Sequence, residues 1–110
     1  MAKDRPQGQG LRDLSGVDRV VHEPARLMIL MVLYGLREAD ALFLLNATEL
    51  TWGNLSSHVS KLEEAGYVEV DKGFVGKKPR TMVRLTGAGR RAVDDYRATM
   101  QAALKKPRTS

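Results

Sequence analysis

The ten residues LMILMVLYGL at 27–36 carry no charge and have an apolar side chain at nearly every position. A helix built from them is apolar on all sides and has to be surrounded. The run is about half the length needed to cross a bilayer, so it reads as a buried helix rather than a membrane span. The chain has 110 residues, which suits one domain. Every other segment is therefore expected to cover this helix or to extend from it.

Pro24 marks where the buried helix begins, because proline fits the first helical turn. The helix is expected over about 24–36, with His22 and Glu23 in the turn before it. Upstream, Leu11, Leu14, Val17 and Val21 recur at spacings of three, three and four, which predicts a short amphipathic helix from about residue 11. MAKDRPQGQG and the final LKKPRTS are almost without large apolar residues, so 1–10 and 105–110 read as mobile tails around a domain over 11–104.

Asp40 is a plausible N-cap for a second helix, ALFLLNA, followed by a short turn at Thr48-Glu49-Leu50. Thr51 then caps WGNLSSHVSKLEEA. Leu55, Val59 and Leu62 give this helix a core face, yet Gly53, Asn54, Ser56, Ser57 and Ser60 are mediocre or poor helix formers. Gly66 suits the left-handed position after its end. The period then changes to two: Tyr67 to Asp71 reads as a strand, GFVGKKPR as a long basic loop, and Thr81 to Leu85 as a second strand. Thr86 caps a last helix with the apolar stripe Ala92, Val93, Tyr96, Met100, Ala103 and Leu104.

Two helices joined by a few residues form a helix-turn-helix, whose second helix fits the DNA major groove. On a helical wheel Gly53, Ser57, Ser60, Lys61 and Glu64 lie opposite the core face, with Asn54 and Ser56 at the margins. Small side chains let a helix backbone approach base edges. Asn pairs with adenine, Ser donates to or accepts from any base, and Lys reaches phosphate or guanine. The first amide groups of that helix are also anion donors. The net charge of +5 favours an acidic partner. From Lys72 to Arg91 seven basic residues occur without an Asp or Glu between them. Among these, Lys77, Lys78 and Arg80 sit at the tip of the hairpin, suited to the DNA backbone or minor groove.

Other residues have plainer readings. His58 reads as a partly buried histidine with a local hydrogen bond, His22 as a turn residue, and Trp52 as packing on the second helix. Gly87-Ala88-Gly89 reads as a tight strand-to-helix turn rather than a phosphate loop. The chain has no cysteine and two histidines, which excludes disulfides, thiolate sites and histidine-rich metal sites. No convergent set of His, Cys and carboxylates suggests catalysis, so neither an enzyme nor a cofactor is expected. No signal-like segment precedes residue 11, and a cytoplasmic location is expected. The stripe of the last helix continues past what one small core needs. A homodimer is therefore expected through Val93, Tyr96, Met100 and Leu104, assisted by Leu14, Val17 and Val21.

The stretches LTWGNLSSHVSKLEEAGYVEV and FVGKKPRTMVRLTGAGR resemble the winged-helix transcriptional regulators of bacteria and archaea, most of all the small MarR/ArsR-like DNA-binding proteins. The shared pattern is a polar recognition helix before K-L-E-E-A-G-Y, a wing with a basic tip, and L-T-x-x-G opening the last helix; VHEPARLMILMVL resembles the family's first core helix. The resemblance covers roughly residues 14 to 104. It implies a mainly α fold with a small β-hairpin (α+β), a winged helix-turn-helix with about five helices and a two- to three-stranded wing. It further implies sequence-specific double-stranded DNA binding by a homodimer, usually for repression. Thr51, Asn54, Ser56, Ser57 and Lys61 match recognition-helix positions, and Lys77, Lys78 and Arg80 match the wing. The chain lacks the cysteines and histidine pairs of metal-sensing relatives and the long terminal helices of larger ligand-binding ones, so an effector is left open. The alternative is a winged-helix module that binds protein or RNA without sequence-specific DNA binding.

Overall fold

The computed structural model describes residues 16–105. Four helices and three strands follow in the order α1 (Pro24–Leu36), β1 (Glu38–Asp40), α2 (Ala41–Thr48), α3 (Trp52–Glu64), β2 (Val68–Val75), β3 (Lys78–Leu85) and α4 (Gly87–Leu104). The strands form one antiparallel sheet in the order β1-β3-β2. This is an α+β winged-helix arrangement, with four helices among the described residues rather than about five.

The fully buried side chains of Ile29, Leu30 and Leu33 make α1 the centre of the core. It packs on α2, α3, α4 and the sheet, as its apolar sequence requires. Its outward positions Met28, Met31 and Leu36 are nonetheless exposed. Glu23 is its N-cap, the carboxylate accepting the Arg26 N–H at 2.8 Å. That backbone hydrogen bond is the main reason the Glu23 pKa lies below the usual carboxylate value.

The helix expected from residue 11 does not extend through its described part. Residues 16–23 form turns. Asp18 offers a local alternative to helical bonding: its Oδ1 accepts Val20 N–H at 2.8 Å and Val21 N–H at 3.3 Å. Leu11 and Leu14, the N-terminal tail and residues 106–110 lie outside the described residues.

The capping residues act as the sequence suggests. Asp40 Oδ1 accepts Phe43 N–H at 2.8 Å, Thr51 Oγ1 accepts Asn54 N–H at 3.1 Å, and Thr86 Oγ1 accepts Gly89 N–H at 2.9 Å. The end of α3 is a Schellman turn: Gly66, at φ 80°, donates to Glu63 O, and Tyr67 donates to Leu62 O, both at 2.9 Å. Packing settles the helicity of α3. Leu55, Val59 and Leu62 are buried, each contributing roughly 1.5–3 kcal/mol. That outweighs propensity penalties of at most about 1 kcal/mol per residue on the outer face.

The hairpin differs from the long loop expected. β2 and β3 remain paired to Val75↔Lys78, leaving Gly76 and Lys77 as a two-residue turn. Gly76 has φ 63°, and Lys77 has no positive φ. That is the II′ pattern, with glycine at the first central position, and it matches strand twist. Pro79 is tolerated within β3 because of sheet order. Leu85 donates its N–H to Arg37 O at 2.8 Å, on the β1 side. With a period of two, position 79 faces that same side, and β1 reaches only Met82–Arg84.

Candidate nucleic-acid interface

On α3, Trp52, Gly53, Asn54, Ser56, Ser57, Ser60 and Lys61 are all exposed. They divide into two rows. Asn54, Ser57 and Lys61, at spacings of three and four, form one ridge. Trp52, Ser56 and Ser60 form another, turned towards the sheet. With Val70, Lys72 and Thr81 this second row lines a cleft of about 230 Å³. The structure thus separates Ser56 from the other candidate residues of this helix. Thr51 is exposed at the N-terminus, but its hydroxyl oxygen caps Asn54 N–H. A Cβ at Gly53 would meet nothing within 4 Å, so the chain's own packing does not require glycine there.

Lys77 sits in the hairpin turn and Lys78 and Arg80 on β3, all exposed. They project from a paired strand and its turn instead of from a loop, which holds their spacing rigid. Lys78 and Arg80 share a strand face, opposite the face of the buried Val83 and Leu85. Among the described residues none of the three has an ion-pair partner. Other members of the basic run are engaged. Arg84 lies between its cross-strand neighbours Glu38 and Glu69, with a guanidinium nitrogen 3.3 Å from each carboxylate. Arg90 lies 4.4 Å over the Tyr34 ring and donates to Tyr34 O at 3.3 Å. The cationic run therefore resolves into an open tip and arginines held within the fold.

Both histidines are tied to distant elements. His58 Nδ1 is 3.2 Å from Arg26 Nη1 and 3.8 Å from Glu23 Oε1, holding the ring towards α1. The partner is thirty-two residues away in sequence, not local as expected. His22 Nδ1 is 2.9 Å from the Tyr96 hydroxyl on α4. Trp52, expected to pack on α2, lines grooves together with Ala41 and Leu42 of that helix and is 55% exposed. Among the described residues no group of three or more His, Cys, Asp or Glu side chains is arranged to hold a metal ion, and no helix is long and apolar enough to cross a membrane.

The residues expected at a dimer seam also divide. Val21 and Val93 are 0% and 2% exposed and belong to the core of the single chain, so they are not available to a second copy. Val17, Tyr96 and Met100 are half-buried, and Leu104 is 80% exposed; Leu14 is outside the described residues. Periodicity detects the apolar stripe of α4 but not the point where it passes from the buried Val93 to the exposed Leu104.

Comparison with known proteins agrees with this architecture. The winged helix DNA-binding domain family matches residues 25–104. An uncharacterized protein of Methanocaldococcus jannaschii is 36% identical over 78 residues, 71% of this chain and 85% of that one. The structure of a transcriptional regulator homologue from Pyrococcus horikoshii OT3 superposes with a TM-score of 0.78 at 28% identity, covering 87% of this chain and 94% of that one. Overoxidized AbfR bound to DNA superposes with a TM-score of 0.68 at 14% identity, over 90% of this chain and 68% of that one, which shows a shared fold. The family match runs from α1 through the α2–α3 pair and the hairpin to the end of α4, and the chain belongs to the winged helix DNA-binding domain family.

Proposed function

We propose that this DNA-binding regulator recognises a specific double-stranded DNA sequence, acts as a homodimer and represses transcription. The ridge Asn54, Ser57 and Lys61 enters the major groove, with Thr51 and Ser56 on its flanks. Lys77, Lys78 and Arg80 hold the adjacent backbone or minor groove. One observation carries this reading: an exposed ridge of polar side chains on α3 stands beside a cationic hairpin tip that has no ion-pair partner among the described residues. The helix chooses the sequence, and the tip adds affinity that does not depend on sequence. In a two-fold dimer the two α3 helices contact successive major grooves about 34–36 Å apart on one DNA face. Repression follows if the occupied site overlaps a promoter. This last step rests on the family resemblance, and a promoter–reporter assay tests it.

The binding test is a selection from random duplexes followed by affinity measurements on the selected site. Replacing Lys77 and Lys78 with Ala weakens binding to all duplexes and lowers the slope of log K against log salt by about 0.9 for each phosphate that is no longer neutralised. Changing Asn54 or Ser57 alters which sequences are preferred. If neither pair of changes affects binding to the selected site, the assignment of helix and hairpin is wrong.

A further inference from the structure

Trp52 stands where the two DNA-facing elements meet. It is the first residue of α3 and lines the cleft between α3 and the sheet. On its other side it lines a larger groove of about 620 Å³, together with Leu42, Val75 and Pro79. Leu42, Trp52 and Val75 are 57%, 55% and 55% exposed, so three large apolar side chains around one groove are left to solvent. Scattered exposed hydrophobics are ordinary, but a set converging on one groove indicates an occupant.

Charge and position decide which occupant. Lys78 and Arg80 line the same groove. Among the described residues its one acidic lining member, Asp40, has its carboxylate engaged in capping Phe43 N–H. A duplex with α3 in the major groove and the hairpin tip in the neighbouring minor groove has one strand separating those grooves, and that strand must cross the gap between the two elements. Deoxyribose has an apolar face and phosphate is anionic, and the groove offers an apolar wall beside two cations.

We infer that this groove seats one sugar–phosphate strand of duplex DNA, with the Trp52 indole packed against deoxyribose and Lys78 and Arg80 on the flanking phosphates. The inference rests on the DNA-binding reading above and assigns Trp52 a backbone contact rather than a base contact. Trp52 couples the helix to the hairpin by filling the space between them when DNA is bound.

Trp52 is the only tryptophan in the chain, so its emission reports on this groove directly. Titrating the full chain with the selected duplex is expected to shift or quench that emission as the indole leaves water. Trp52→Ala weakens binding to selected and unrelated duplexes alike, by roughly tenfold. Its salt slope stays that of the wild type, because the indole displaces no counterion. Trp52→Phe, which keeps an aromatic wall, restores most of the affinity and also serves if the alanine variant proves unfolded by circular dichroism.

The inference is overturned if the wild type binds duplex while its emission does not change, or if folded Trp52→Ala binds as tightly as wild type. It is also overturned if the weakening is confined to particular sequences, since Trp52 would then read bases. Emission that responds to a peptide and not to duplex assigns the groove to protein and overturns it as well. A wild type that binds no duplex at all instead defeats the DNA-binding reading, which keeps the two failures distinguishable.

Discussion

At Gly89 a single methyl group decides whether α4 can meet the end of α3. A Cβ there would lie 2.2 Å from Tyr67 O and 2.8 Å from Leu85 Cδ1, closer than real side chains approach. Around it, Thr86 donates its N–H to Tyr67 O at 3.0 Å and its hydroxyl to Gly66 O at 2.7 Å. The L-T-x-x-G and A-G-Y segments thus fasten to each other. Gly89→Ala is expected to destabilise the fold by about 2–3 kcal/mol, read as a lower urea midpoint. At Gly35, in α1, a Cβ would meet nothing within 4 Å, and Gly35→Ala is expected to stabilise by up to about 1 kcal/mol in the same assay. Tyr67 has a second role. Its hydroxyl donates to the Asp18 carboxylate, and that bond, with burial and the Asp18 and Asp95 charges, pushes its pKa up to about 12 from 10.0. The folded pKa lies above the unfolded one, so the stabilising contribution is complete below pH 10 and disappears as pH rises towards 12. Tyrosinate absorbance is therefore expected to show a late step near pH 12 that Tyr67→Phe abolishes. The stability difference between wild type and this variant should close over the same interval. Neither role is visible locally: Gly89 reads as a turn glycine, and Asp18 and Tyr67 lie forty-nine residues apart.

Among the elements, the helices with strong end signals are the most legible. Asp40, Thr51, Gly66 and Thr86 each mark a boundary through a bond made within a few residues, and Pro24 marks one through its fixed φ at the first helical position. The sheet is less legible, because pairing between strands has no local signal. Three residues, Glu38–Asp40, become β1 only because Arg84, Val83 and Met82 lie opposite them. The same pairing explains why a segment rich in glycine and lysine is strand rather than loop up to Val75 and from Lys78. At the junction of α1 and β1, Arg37 has φ 76° and ψ −44°, an unfavourable backbone for a residue with a side chain. Its N–H donates to Leu33 O at 2.6 Å and its carbonyl accepts from Leu85 N–H at 2.8 Å, so both neighbours hold it there. Arg37→Gly is expected to raise the unfolding midpoint by the equivalent of about 1 kcal/mol, relief of strain exceeding the entropy cost of glycine. A lower midpoint would show that the arginine side chain contributes more than the strain it imposes.

For the whole molecule, the proposed dimer is tested through the end of the stripe, the half-buried Met100 and the exposed Leu104. Sedimentation of the wild type is expected at twice the 12.2 kDa chain mass. Met100→Glu combined with Leu104→Glu is expected to give monomers whose affinity for a two-half-site operator falls by a factor on the order of a hundred, because a monomer lacks the linked second half-site. Full affinity in that double variant would place the seam elsewhere, for which the exposed Met28 and Met31 on α1 are the next candidates. The sequence by itself determined the central helix, the helix-turn-helix, the polar face of α3 and the basic tip. These follow from periodicity, capping and composition, which act over one or two turns. Only the tertiary structure decided that Val21 and Val93 lie inside the chain's own core and that Arg84 and Arg90 are held by partners. It alone also showed that His58 is held towards α1 and that Trp52 lies open between α3 and the hairpin. Those outcomes depend on which distant surfaces meet, and burial and pairing are properties of the assembled core rather than of any short segment.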